Sequence, residues 1–124
     1  MSTSESRRFI QEYFSALSGT AKPPAMVNQY VADTDDALKQ HIASAEAAFP
    51  HYEMHTEDLI VEGNKAVVRF TMQATHQGEF MGIPATGKQV CVPGIIIYRL
   101  TAHKIAEHWM QLDSMTQMQQ LGIA

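Results

Sequence analysis

Lys104-Ile105-Ala106-Glu107-His108-Trp109-Met110-Gln111-Leu112-Asp113 is the stretch on which the reading of this chain turns. It predicts a strand that ends on a carboxylate. Alternate side chains of a regular strand share a face, so Glu107, Trp109, Gln111 and Asp113 fall together. Three polar groups around one large aromatic make one of two surfaces. One is the wall of a pocket that holds an apolar ligand and moves a proton; the other is a solvated sheet face with a partly exposed Trp. Asp113 carries the same pair of alternatives. At the rim of an apolar cavity its charged form is disfavoured and its pKa rises toward the range of acid/base work. At Asp113-Ser114 it is also placed to cap the helix that follows.

Upstream, Gln89 to Leu100 is the longest predicted strand. Residues 90–98 are apolar on both faces apart from Pro93-Gly94, which predicts a bulge and a sharp bend. A strand apolar on both faces must be covered on both, by helices on one side and by a cavity wall or a second subunit on the other. From Ala66 to Thr75 the alternation is clean: Val68, Phe70, Met72, Ala74 and His76 share one face. Gly63-Asn64 reads as a two-residue hairpin turn leading back to a strand over Tyr52 to Val61. Between the strands, Gly78 to Gly87 is a Gly/Pro-containing loop bearing Phe80, Met81 and Ile83, which predicts a lid folded back over a core or a ligand.

The first half reads as helices. Ser4 to Leu17 carries Ile10, Phe14 and Leu17 at helical spacing, with Ser4 as the predicted cap. Pro23-Pro24 starts a short helix with Met26, Val27, Tyr30 and Val31. After the acidic run Asp33–Asp36, a third helix places Leu38, Ile42, Ala45 and Phe49 on one stripe and stops before Pro50. At the C-terminus Ser114 is the predicted cap of a short helix with Met115, Met118 and Leu121, ended by Gly122. Helices followed by strands indicate an α+β fold, a curved antiparallel sheet wrapped around N-terminal helices. The cone so formed encloses an apolar pocket of the kind that takes small ligands.

Composition narrows the function. The 124 residues fit one domain, 1–124, with 45% hydrophobic and 18% charged residues. A net charge of −4 argues against nucleic-acid binding, which needs a basic footprint, and no polybasic membrane anchor is present. No apolar run reaches the ~20 residues of a membrane span. Cys91 is the single cysteine, so no internal disulfide forms. With no secretory signal at the N-terminus, a cytoplasmic protein is expected. Glycine-rich phosphate loops, GxSxG and CxxC are absent, which leaves dinucleotide, kinase and serine-hydrolase chemistry without support.

The titratable residues set out the chemistry available. Asp113 is the first catalytic candidate. His76 is the second, as either a hydrogen-bonded core histidine or the partner of Asp113 across a cavity. Arg99 and Glu107 either bind ligand or pair with each other. His51, Glu53 and His55 alternate on a strand face, a pattern too sparse for a zinc site, and no metal is expected. His41, His103 and His108 read as surface residues. Phe14, Tyr30, Phe49, Phe80, Trp109 and Met118 are the apolar candidates for substrate contact.

Gly78-Glu79-Phe80-Met81-Gly82-Ile83-Pro84-Ala85-Thr86-Gly87-Lys88 resembles the loop of SnoaL-like polyketide cyclases, the ester cyclase family. So do Ile95-Ile96-Ile97-Tyr98-Arg99, then Lys104-Ile105-x-Glu107-x-Trp109-x-x-x-Asp113, then Gln119-Gln120-Leu121-Gly122. The resemblance covers about residues 38–122. It implies the nuclear-transport-factor-2-like (cystatin-like) cone, and a homodimer or tetramer packed through the convex sheet face. It further implies a cofactor-independent lyase or isomerase acting on a small apolar carbonyl compound. Asp113 would remove a proton next to a carbonyl, and the carbanion would close a ring by aldol attack, without metal or cofactor. A non-catalytic binding module of the same cone is the alternative. Two departures stand out. Arg99-Leu100-Thr101 lacks the Arg-x-Asp of the related epoxide hydrolases, and Thr101-Ala102-His103-Lys104 lacks the family's Asp-Gly turn.

Overall fold

The computed structural model describes residues 1–123. Its elements run α1 (Thr3–Leu17), α2 (Pro24–Tyr30), a 3₁₀ turn (Asp33–Asp35), α3 (Asp36–Ala48), β1 (Glu53–Glu62), β2 (Lys65–Thr75), β3 (Gln89–Thr101), β4 (Lys104–Leu112) and α4 (Ser114–Leu121). The four strands form one antiparallel sheet in the order β1-β2-β3-β4. This is the expected α+β architecture, a curved sheet wrapped around helices.

The cap of α1 is Ser2, two residues earlier than expected. Its hydroxyl accepts from Glu5 N while Glu5 Oε1 accepts from Ser2 N, both at 3.1 Å. This reciprocal box satisfies two otherwise free N–H groups, which a cap at Ser4 would not do. α1 then turns Ile10, Tyr13, Phe14 and Leu17 inward, the i, i+3, i+4, i+7 pattern of a helix with one buried face. Val68, Phe70 and Met72 of β2 meet them from the inner face of the sheet, together with Val92, Ile96 and Tyr98 of β3.

Pro93-Gly94 makes no bulge. The ladder between β2 and β3 runs unbroken through Thr71↔Pro93 and Phe70↔Gly94. Gly94 serves another purpose: a Cβ there would lie 2.5 Å from Cζ of Phe70, so the missing side chain is the slot in which that ring lies. The register shifts fall elsewhere, between Thr56 and Asp58 on β1 and between Arg99 and Leu100 where β3 meets β4. In the second, Arg99 pairs with Glu107 and Leu100 with Ile105, so Ala106 is the extra residue. Both Ile105 and Ala106 are buried, and past them the inward side chains are His108, Met110 and Leu112.

Gly63 takes the left-handed conformation in the β1–β2 turn, as its sequence predicts. Ala102 and His103 also have positive φ, +52° and +60°, which makes the β3–β4 turn a two-residue turn built from residues with a Cβ. Each such position costs on the order of 1 kcal/mol relative to glycine or asparagine.

α4 is capped at its start and tied to the sheet near its end. Asp113, rather than Ser114, caps it, accepting from Thr116 N at 3.0 Å. The Gln120 carboxamide bonds both backbone groups of Cys91, accepting at 2.7 Å and donating at 2.9 Å. It thereby completes the part of β3 that β4 does not reach. Lys88 Nζ donates to Leu121 O at 3.3 Å, and Gly122 closes the helix in the left-handed conformation.

Candidate active-site cavity

A cavity of about 550 Å³ lies between the helices and the inner sheet face. Tyr13 and Leu17 reach it from α1; Leu38, His41, Ile42 and Ala45 from α3; Phe70, Met72, Ile96, Tyr98, Met110 and Leu112 from the sheet. Phe80 and Met81 of the 78–87 loop close over it, and Gln117 enters from α4. The lid expected from the apolar loop is therefore present. Its tip is a tight turn in which Phe80 and Ile83 exchange N–H···O bonds of 2.9 Å.

His76 holds the root of this lid. It is fully buried, in a three-ring cluster with Phe49 and Phe80. Its Nδ1 accepts from Thr86 N at 3.2 Å, with the Thr86 hydroxyl 2.9 Å away. The ring proton therefore sits on Nε2, which is sealed without a partner among the described residues. His76 thus takes the role of a core histidine, and its ring does not line the cavity.

Asp113 takes the second of its two readings, the helix cap. It is exposed, and both of its oxygens are engaged by Thr116: Oδ1 by the N–H, Oδ2 by the hydroxyl at 2.7 Å. These bonds hold its pKa below the usual carboxylate range, as the cap reading implies and opposite to the rise that the acid/base reading requires. The face it shares with Glu107, Trp109 and Gln111 is the outer face of the sheet, because Ala106 shifts the alternation, although Gln111, at the end of β4, also borders the cavity. Trp109 is 45% exposed there. Arg99 donates to Glu107 Oε1 at 3.1 Å on that same face, the ion pair that was the alternative to ligand binding. Phe14 and Tyr30 belong to the aromatic core around Tyr13, and Met118 is half-buried on α4; none of the three lines the cavity. Of the apolar candidates, Phe49 and Phe80 do. His55 pairs with Glu53 at 3.0 Å, and no group of three metal-ligating side chains occurs among the described residues.

The groups that do converge on the cavity were legible only in part. His41 sits with Leu38, Ile42 and Ala45 on the stripe of α3, and that spacing was the available signal. It is an exposed residue at the rim of the cavity, as expected of a surface histidine. Enough protein surrounds the rest of the ring that burial lowers its pKa, with a further push from the charge of His108. That direction favours the neutral imidazole. Tyr13 and Tyr98 lie side by side at the base, ring centroids 5.9 Å apart, and burial drives both phenols far above their ordinary range. They remain protonated donors. Tyr52 is shifted upward for the same reason and is clasped by Lys22, whose ammonium lies 3.9 Å above its ring and donates to its carbonyl and to Glu46.

His108, expected at the surface, faces inward beside Tyr98. Its Nδ1 is 2.7 Å from Asp35 Oδ2, and Asp35 Oδ1 accepts from Leu38 N to cap α3. The 31–35 segment is hooked onto β4 by Ala32 N donating to Ile105 O and Thr34 Oγ1 to Ala106 O, which sets the carboxylate against the imidazole.

A family model described as SnoaL-like polyketide cyclase matches residues 11–121. Among solved structures the chain is similar to AclR from Streptomyces galilaeus at a TM-score of 0.85 and 22% identity, covering 99% of this chain and 84% of that one. TsrD from Streptomyces laurentii follows at 0.80 and 23%, covering 100% and 99%. A SnoaL-like polyketide cyclase from Agrobacterium tumefaciens matches at 0.78 and 21%, covering 98% and 100%. A search of curated proteins finds no match. These identities speak to the fold. No helix among the described residues is long and apolar enough to cross a membrane.

Proposed function

Because the chain belongs to the SnoaL-like polyketide cyclase family, we propose that it is a cofactor-independent cyclase or isomerase acting on a small apolar carbonyl compound. The observation that carries this reading is the convergence of the His41 imidazole and the Tyr13 and Tyr98 phenols on one largely apolar cavity. His41 takes the proton α to the carbonyl. Tyr13 and Tyr98 donate to the oxygen on which charge develops, and the low-polarity surroundings strengthen that contact. The carbanion then attacks the carbon of a second carbonyl in the same molecule: the C–C bond forms as that C=O π bond opens, the first carbonyl re-forms, and the new alkoxide takes back the proton held by His41. Asp113 and His76 act as positioning residues, one by capping α4 and the other by pinning the lid.

The test is deuterium wash-in at the acetyl group of 2-acetylnaphthalene, a rigid apolar ketone, followed by NMR in D₂O. The wild-type protein is expected to accelerate it, and His41→Gln to lower the enzymic rate on the order of 10²-fold. The wild-type rate should fall only as the pH drops through a value below the ordinary histidine 6.5, since His41 must be unprotonated to act. An acid limb unchanged in His41→Gln would remove His41 from this role. A non-catalytic binding module is the second reading, favoured by the exposure of His41, the base of the first. Binding of the ketone without exchange in the wild type would select it.

The outer sheet face supports a homodimer. Ile60, Val67, Ile97 and Trp109 pair in register into one apolar row across all four strands. On one side runs the ionic row Glu62, Lys65, Arg99, Glu107; on the other, Asp58 and Arg69 form an ion pair of 2.7 Å. An apolar stripe between charged rows suits a second copy of the same face. Light scattering is expected to give twice the chain mass for the wild type and the single-chain mass for Trp109→Glu. A monomeric wild type at tens of micromolar would refute the dimer.

A further inference from the structure

Gln117 is the one polar residue that α4 buries, at 4% exposure, next to the apolar Leu121 one turn on. Its carboxamide has no hydrogen bond among the described residues, and it is not one of the unpartnered side-chain atoms cut off from solvent, so it opens onto the cavity that it lines. The docking of α4 through Gln120 fixes this inward direction. A buried carboxamide without a partner is costly, and an apolar side chain of the same size would sit there at lower cost. The position along the sheet matters as well. α4 starts just past Leu112, four residues along β4 from His108, which pairs with Tyr98. At the rise of a strand the backbone where α4 begins is roughly 13 Å from the backbone at His108, so the helix enters at the far end of the sheet from the Tyr98–His108 pair.

We propose that Gln117 anchors a second oxygen function of the ligand. The cavity then takes a compound with two carbonyl or hydroxyl groups at opposite ends of an apolar body, one facing Tyr98 and the other Gln117. The inference rests on the reading of this cavity as the ligand site. It adds the class of ligand, and it matches a ring closure that needs two carbonyls in one molecule.

The test compares the affinities of 2,6-diacetylnaphthalene and 2-acetylnaphthalene by calorimetry, on the wild type and on Gln117→Leu. Gln117→Met serves in its place if the leucine variant does not fold. The wild type is expected to bind the diketone at least tenfold more tightly. The variant should lose that preference by weakening the diketone alone, and its Tm should rise, because an unpartnered amide has been removed. An unchanged preference would mean that water alone satisfies Gln117, and a lower Tm would mark it as structural; either overturns the anchor. If neither ketone binds the wild type, the cavity reading fails and the anchor with it. Binding without deuterium exchange removes the catalytic reading and leaves the anchor standing.

Discussion

Replacing Gly78 with alanine is expected to cost about 3 kcal/mol of stability and to lift the lid from the cavity. Gln77 N and Gly78 N both donate to the carbonyl of Ala48, at 3.1 and 3.0 Å, which clamps the root of the loop onto the end of α3. A Cβ on Gly78 would overlap the carbonyl oxygen of Ala47. That oxygen belongs to helix backbone and cannot swing aside, so the loop must move instead. Overpacking of this kind costs about 1–3 kcal/mol, and more where backbone is the obstacle. As the loop moves, Phe80 leaves the ring of Phe49, now 5.2 Å away, and the cavity opens to water. Gly82→Ala is the matched control. Its φ is +80° but its Cβ would meet nothing, so only backbone strain of about 1 kcal/mol is expected. Urea unfolding measures both costs, and hydrogen exchange at the Phe80 and Ile83 amides reports the lid. A Gly78→Ala protein no less stable than Gly82→Ala, with those amides still protected, would contradict the clamp.

The second large effect is expected at Asp35. Asp35→Ala removes the cap of α3, worth about 1 kcal/mol, and a charge-assisted bond to His108, worth about 1.5–3 kcal/mol. Both groups are largely enclosed, so water replaces neither contact well. The expected loss is about 3 kcal/mol. Asp35→Asn should lose only about 1 kcal/mol, because its oxygen can still accept from Leu38 N and its amide can donate to His108 Nδ1. The difference between the two variants separates hydrogen bonding from bulk at this site, and urea midpoints at constant m measure it. Equal losses in both variants would mean that charge, not hydrogen bonding, holds the pair. A neutral Asp35→Ala would mean that the pair contributes nothing. His41 feels the charge of His108, so the acid limb of His41-dependent exchange should also move in Asp35→Ala.

Much of the fold is written locally. The Ile10–Leu17 stripe, the Leu38–Ala45 stripe, the clean alternation of β2 and the Gly63 turn are periodicities within one element, and each formed within a few residues of its expected bounds. The lid was legible for a similar reason, since apolar residues among glycines and a proline need a surface to cover. Other features gave ambiguous signals. Pro93-Gly94 carries the composition of a bulge, but the glycine answers to Phe70 on the neighbouring strand. The caps moved by one or two residues, to Ser2 and Asp113, because adjacent Ser and Asp residues compete for the same N–H groups.

The sequence by itself determined the order of helices and strands, the inward faces of α1, α3 and β2, and a loop that folds back. Each depends on repeats of 2 or 3.6 residues that any short window contains. The tertiary structure alone decided which face of β4 meets the cavity. One extra residue at Ala106 reverses the alternation, sending Trp109 and Asp113 outward and His108 inward, and nothing local marks where a ladder slips. It also decided the partnership of Asp35 and His108, 73 residues apart, and the meeting of His41, Tyr13, Tyr98 and Gln117 around one space. Those relations depend on how separate elements pack, and packing is a property of the whole chain that no segment carries alone.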